Sequence, residues 1–404
     1  MEKRRNEIEL TEALSLISKT DLLPGEETVP LERAHRKVLA KDIFAYIDQP
    51  PFDRSPLDGY ALRSEDTVSA SPQSPVRLSL AGKLCAGVYP NFSVQRNQAA
   101  RIMTGAPIPH GCDCVIKQEE TESDTNQVII SRPLSRHENF CFRGEDFFSG
   151  SLLLSSGTKL DAAAIGVLAS SNYVHVPVRR ELKAALLVTG DELVEPGAEI
   201  TLPPGKIFSS NLFMLCARLC ELSVHVVSAA QTGDEAEIVG KVISKSLEQA
   251  DVLFTTGGVS VGEKDILTEV LPALGAEQVF HGVNIKPGAP AMFSFLNGKP
   301  VLSLSGNPFA AAATFEILGR PLLAALSGDS TLLPVRALAK LSSPFGKRST
   351  FRRFLRASLK NGEITLPEGH SSGQLRSLAG CNCLLVIPPD AAVSEGDIME
   401  VYLL

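Results

Sequence analysis

The chain has 404 residues against roughly 150 for a single domain, so several domains are expected. Hydrophobic residues make up 44% and charged residues 21%, which excludes a disordered polyelectrolyte and a small disulfide scaffold. The formal net charge of −7 argues against nucleic acid or an anionic membrane as a partner, so any anionic ligand has to be held by local groups.

Residues 1–6 are charged and no signal-type apolar stretch follows them, which predicts a cytoplasmic protein. Over residues 7–23, Ile8, Leu10, Ala13, Leu14 and Ile17 recur at helical spacing until Pro24-Gly25, predicting a first helix. Residues 31–39 predict a second short helix, and residues 43–47 a strand leading into Gln49-Pro50-Pro51. Short β-like runs at 76–80, 99–103, 114–117 and 128–130, broken by Pro, Gly and Ser, predict a β-rich domain over 47–144. Residues 152–178 read as strand, turn, helix over 162–170 and strand. Residues 1–46 and 145–179 are therefore assigned together as N-terminal helices and connector.

Beyond residue 180, apolar strands at 184–188, 224–228, 252–255 and 301–304 alternate with helical patterns at 211–219, 236–249, 266–274 and 309–326. That alternation predicts an α/β domain with a mostly parallel sheet over 180–327. Asn361-Gly362 joins the runs 351–360 and 363–366 as a hairpin, predicting a small C-terminal β domain over 328–404. No run nears the roughly 20 uninterrupted apolar residues of a membrane span. The eight cysteines, including the pairs Cys112/Cys114 and Cys381/Cys383, lack zinc-ribbon spacing and read as reduced thiols.

Ligands of open parallel sheets bind beyond the carboxyl ends of the strands, which singles out three turns. Thr189-Gly190-Asp191-Glu192 sets two acids after a strand, where helix capping uses only one. Gly257, Gly258, Ser260 and Gly262, followed by Asp265, expose backbone amides to a phosphate. Ser305-Gly306-Asn307-Pro308 opens a helix. Lys286, held between turn-forming residues, offers a point charge to an oxyanion. Taken singly, these read as a cap, a tight turn, a helix start and a surface lysine. Taken together, they put acids beside a phosphate cradle, an arrangement that needs a hard cation, so a Mg²⁺-bridged phosphate ligand is expected. The basic strand Phe351-Arg352-Arg353-Phe354-Leu355-Arg356 reads either as an anion contact or as a solvated edge. Neither a Gly-x-x-x-x-Gly-Lys-Ser/Thr loop nor a Gly-x-Ser-x-Gly turn is present, which disfavours a generic nucleotide hydrolase.

Three further stretches complete a pattern with these turns: Phe52-Asp53-x-Ser55-x-x-Asp58-Gly59-Tyr60-Ala61, Met103-Thr104-Gly105-Ala106-Pro107 and Arg143-Gly144-Glu145-Asp146. In order and spacing the whole chain resembles the molybdopterin molybdotransferases, the family of bacterial MoeA proteins and the gephyrin E domain. The resemblance implies an elongated, four-part homodimer whose α/β domain is of the molybdopterin-binding type. Its cleft would be completed by the β-rich domain of the other subunit. It implies insertion of molybdate, or tungstate, into adenylylated molybdopterin with Mg²⁺ and release of AMP, and a molybdopterin adenylyltransferase as partner.

On that resemblance Asp191, Glu192 and Asp265 are metal ligands, with Glu192, Asp265 and Lys286 also catalytic. Gly257, Gly258, Ser260, Gly262, Gly306, Asn307 and Pro308 cradle the ligand. Asp58, Thr104, Arg143, Glu145 and Asp146 come from the partner subunit, Arg143 as a binding residue and Asp58, Thr104 and Asp146 as catalytic ones. Departures stand at Gly233, Gly282, Ala289, Ser305 and Cys141, where family members carry acidic, basic or proline residues. The lost anion contacts leave open a tungstate-preferring or non-catalytic paralogue acting as a cofactor carrier or scaffold.

Overall fold

Leu10, Ala13 and Ile17 recur at helical spacing and are buried together, so the helix Leu10–Ser18 packs this stripe against the helix Arg320–Ser327. The computed structural model describes residues 7–20, 22–198, 201–260 and 265–404. The second helix expected over 31–39 is absent. Only the 3₁₀ turn Leu31–Arg33 forms, because Arg36 adopts φ 67° and the chain beyond it runs extended, the Leu39 amide donating to Thr158 O at 2.9 Å.

The chain leaves and re-enters one small layer. Glu26–Pro30 pairs antiparallel with His175–Arg179, and Ile43–Phe44 with Leu152–Leu154. The helix Ala162–Ser170 packs on them, its N-terminus capped by Asp161, whose Oδ1 accepts from the Ala164 amide at 2.8 Å. Between these segments lies a six-stranded mixed sheet in the order Cys114–Lys117, Gly59–Leu62, Gln98–Ile102, Val76–Leu84, Gln127–Ile130, Thr121–Ser123. It has cores of its own on both faces.

The α/β domain follows. Its sheet order is His225–Thr232, Lys183–Thr189, Val252–Thr256, Lys299–Leu304, Met292–Leu296, Glu277–His281. Ala184 and Leu186 face Leu215 and Leu219 of the helix Asn211–Glu221, while Ala185 and Leu187 face Val239 and Ile243 of the helix Ala236–Gln249. Helices on both faces explain why these strands read as continuous apolar runs. The first four strands are mutually parallel; Met292–Leu296 returns antiparallel beside Lys299–Leu304 and pairs with Glu277–His281.

Residues 308–327 form one helical rod made of Pro308–Thr314, a π turn at Phe315–Gly319, and Arg320–Ser327. It is long and apolar enough to cross a membrane, but most of it is buried in the core. Inside it, Glu316 is paired with Arg218 at 2.7 Å and Arg320 at 3.2 Å.

The C-terminal segment rolls into a small barrel. Arg352–Lys360 turns into Glu363–Thr365 through Asn361 and Gly362, both at positive φ, and closes against Cys383–Ile387. The α/β domain lends this sheet one more strand: Ile285–Lys286 pairs parallel with Arg352 and Arg353, which sets Lys286 opposite Arg353. The molecule exposes 20311 Å², against about 15,000 Å² for a compact monomer of its 43.2 kDa, in keeping with an elongated outline.

Candidate functional site

A cavity of about 1190 Å³ opens beyond the carboxyl ends of the parallel strands, where Thr189, Gly257 and Ser305 form its floor. The barrel supplies the opposite wall through Lys347, Arg348, Arg353 and the segment from His370 to Ser372. Glu192, Asp234 and Asp265 bring negative charge from the sheet side. Lys286 faces the cavity beside Arg353.

Local chemistry explains the floor. Gly257 and Gly258 have φ of 90° and 60°, and a Cβ on Gly257 would lie 2.2 Å from Thr189 O, so only glycine lets this loop press on the neighbouring strand end. Asp265 Oδ1 accepts from the Ser260 amide at 2.9 Å and its carbonyl from Thr268 Oγ1 at 2.7 Å, which anchors the loop to the helix Leu267–Ala273. Asn211 Nδ2 donates to Gly306 O at 2.8 Å and so holds the next turn in place. Asn307 occupies the cap position of the Pro308 helix without a side-chain cap bond, and its amide donates to Ser305 Oγ at 3.4 Å. The barrel supplies what is missing there, since the orphan Phe309 amide donates to Ser372 O at 3.1 Å. Thr189 Oγ1 and Asn211 Oδ1 are buried without a hydrogen-bond partner in the protein.

The fold thus brings Glu192, Asp265, Lys286, Gly257, Gly258, Ser260, Gly306, Asn307 and Pro308 into one cavity. Gly262 lies outside the described residues. Asp191 is not in the cavity lining: its Oδ1 accepts from the Asp234 amide at 3.0 Å, and Asp234 Oδ2 accepts from the Asp191 amide at 3.3 Å. Among the described residues, no group of three His, Cys, Asp or Glu side chains is gathered to hold a metal. Of the departures, Ala289 and Ser305 line the cavity, and Gly233 abuts Asp191, where a Cβ would lie 2.9 Å from Oδ1.

Asp58, Thr104, Arg143 and Asp146 sit in or beside the β-rich domain, outside this cavity. The Thr104 amide and hydroxyl both donate to Asp58 Oδ1 at 2.7 Å, and these bonds hold the Asp58 carboxyl below the usual range. Arg143 pairs with Asp48, whose carboxyl is lowered by the Ser149 amide and by that guanidinium; the Arg143 amide donates to Asp53 Oδ1 at 2.8 Å. Asp146 is exposed.

Asp234, Lys347, Arg348 and His370 lie in the lining without having been singled out in the sequence. Of the barrel wall, the basic run around Arg353 was the legible signal, and the anion-contact alternative is the one compatible with its position.

Three family models match the chain: the MoeA N-terminal region (domain I and II) at residues 8–171, a probable molybdopterin binding domain at 185–325, and the MoeA C-terminal region (domain IV) at 338–404. A molybdopterin molybdenumtransferase from Staphylococcus aureus is 34% identical over 390 residues, 96% of this chain and 93% of the relative. Two crystal structures of the molybdopterin biosynthesis MoeA protein from Pyrococcus horikoshii superpose with TM-scores of 0.83 and 0.87. They are 33% and 29% identical, cover 98% and 99% of this chain, and are themselves covered over 99% and 100% of their lengths.

Proposed function

The chain belongs to the MoeA family of molybdenum cofactor biosynthesis, and we propose that it is a molybdopterin molybdenumtransferase that inserts molybdate into adenylylated molybdopterin and releases AMP. The observation that carries this reading is the opposed charge of the two cavity walls: carboxylates at the sheet ends, and Lys286 and Arg353 together at the barrel seam.

Glu192 and Asp265 would hold Mg²⁺ jointly with substrate oxygens, the usual arrangement for an ion that keeps few protein ligands. When bound, Mg²⁺ supplies charge neutralisation at the substrate phosphates. The amides around Gly257 and Gly258 and the turn Gly306-Asn307-Pro308 receive the phosphate-bearing part of the substrate. Lys286 and Arg353 hold the tetrahedral oxyanion against the dithiol sulfurs, which turns an encounter between two anions into a positioned one.

The working unit in this reading is a homodimer. Asp58, Thr104, Arg143 and Asp146 lie outside their own chain's cavity and serve that of a second copy, and the exposed Phe44, Tyr46 and Phe148 leave apolar surface for a partner to cover. The enzyme works in the cytoplasm on substrate delivered by an adenylyltransferase.

The test is purified protein with adenylylated molybdopterin, Mg²⁺ and either molybdate or tungstate, followed by AMP release and by reconstitution of an apo-enzyme. AMP release that depends on Mg²⁺ and on molybdate is expected. Tight substrate binding with no AMP from either oxyanion would instead mark a carrier.

A further inference from the structure

Among the described lining residues, His370 is the group whose ordinary titration falls between pH 5 and 8.

His370 is held firmly. Its ring stands edge-on to Phe345, with centroids 5.4 Å apart and planes at 87°, and the Arg353 guanidinium lies 5.4 Å from the centre of the same Phe345 ring. The backbone on both sides is tied down by buried Arg356, which donates to Ser371 O at 2.7 Å and Gln374 O at 2.6 Å, with Gly369 O at 3.5 Å. Nδ1 is buried and meets no hydrogen-bond partner in the protein, a cost that calls for a function. Burial, and then the charges of Arg356, Lys347 and Arg353, push the imidazole below its ordinary 6.5, so the neutral ring is favoured. Among the described residues, those three cations are the charged groups whose fields shift the ring.

Metal insertion at this cavity has a proton to move. Two Mo–S bonds form and one Mo–O bond breaks; the two thiol protons and the departing oxo group leave as water, and molybdenum stays hexavalent throughout. Resting on the transferase reading above, we propose that His370 is the proton relay of insertion. It takes a proton from a dithiol sulfur as that sulfur bonds molybdenum and passes the proton to the departing oxo group.

The test compares the full-length chain with its H370Q and H370A variants, using adenylylated molybdopterin, Mg²⁺ and molybdate. H370Q should keep the affinity for molybdate and for substrate and the melting temperature of the parent, while kcat falls about a hundredfold. The parent rate should decline as pH drops through the depressed imidazole pKa, a limb that H370Q lacks, and added imidazole should restore part of the H370A rate. If H370A does not fold, the H370Q rate and pH profile decide. A parent-like kcat and pH profile in H370Q, or a loss confined to KM, overturns the relay while leaving the transferase reading intact. If the parent itself releases no AMP, the transferase reading falls and takes the relay with it.

Discussion

The guanidinium of Arg356 lies 4.2 Å from the centre of the Phe309 ring, and neither side chain has appreciable solvent exposure. The pair joins the barrel to the first turn of the helix that follows Gly306-Asn307-Pro308, and therefore joins the two walls of the cavity. Among the described residues no carboxylate pairs with this buried charge; the ring face and the carbonyls of Ser371 and Gln374 take the place of water.

Arg356→Met keeps the apolar stem and deletes the donors. It should lower stability by about 3 to 6 kcal/mol, the value of two charge-assisted hydrogen bonds. Thermal melting checks the size of the loss, and faster hydrogen exchange over residues 369–374 checks where it falls. A variant as stable as the parent would show that the clamp is dispensable.

The charged walls should separate kinetically. Lys286→Ala and Arg353→Ala each remove a charge-assisted contact and should raise the KM for molybdate about tenfold. Glu192→Gln should instead raise the Mg²⁺ concentration needed for half-maximal AMP release. Asp191→Asn keeps an acceptor for the Asp234 amide and should stay near the parent rate. Initial rates across molybdate and Mg²⁺ titrations would show it; the same effect from both walls would contradict their division of labour.

Gly288 has φ 97°, and a Cβ there would lie 2.0 Å from Thr314 Oγ1, a hydroxyl that donates to Ala310 O at 2.6 Å. Gly288→Ala should destabilise the chain by about 2 to 4 kcal/mol through overpacking and an unfavourable backbone. Adding Thr314→Ala relieves the collision and should leave about 1 kcal/mol, the backbone part. Denaturant melts of both single variants and the double variant measure the coupling, and simple additivity would refute the collision.

Asp251 ties the chain entering the α/β domain to its sheet, accepting from Arg180 at 2.8 and 2.6 Å and from the Lys183 amide at 2.9 Å. Burial raises its pKa, but Arg180 and the Lys183 amide outweigh that, so the carboxyl sits below 3.8. A folded pKa below the unfolded one gives stability that is present above the unfolded value and is lost as pH falls through the folded value. Arg180 stays 37% exposed, so solvent screening limits the pair to about 1 kcal/mol. Asp251→Asn should therefore weaken the protein at about pH 7 and converge with the parent as pH falls through the lowered folded value; melts across an acid titration decide.

The elements read best from the sequence are those with a local cause. The helix Ala236–Gln249 and the strand Cys114–Lys117 run over the residues that their periodicity predicts, and Asn361-Gly362 makes its hairpin. The expected helix over 31–39 fails at Arg36, whose left-handed backbone no apolar period reveals. Met292–Leu296 escaped notice because a short, nearly uniform apolar run buried on both faces has no alternation to read.

At the site, local pattern was enough to put Glu192, Asp265, the glycine loop and Pro308 at one sheet edge, since parallel strands separated by helices must all end on the same side. Packing between domains decided the rest. Lys286 meets Arg353, and Ser372 receives the Phe309 amide, through main-chain hydrogen bonds between distant segments. Such bonds are available to almost any residue and leave no side-chain signature in the text. The pairing of Asp191 with the Asp234 amide is likewise a tertiary outcome, because an acid in one loop meets the amide of the facing loop only once that loop has arrived.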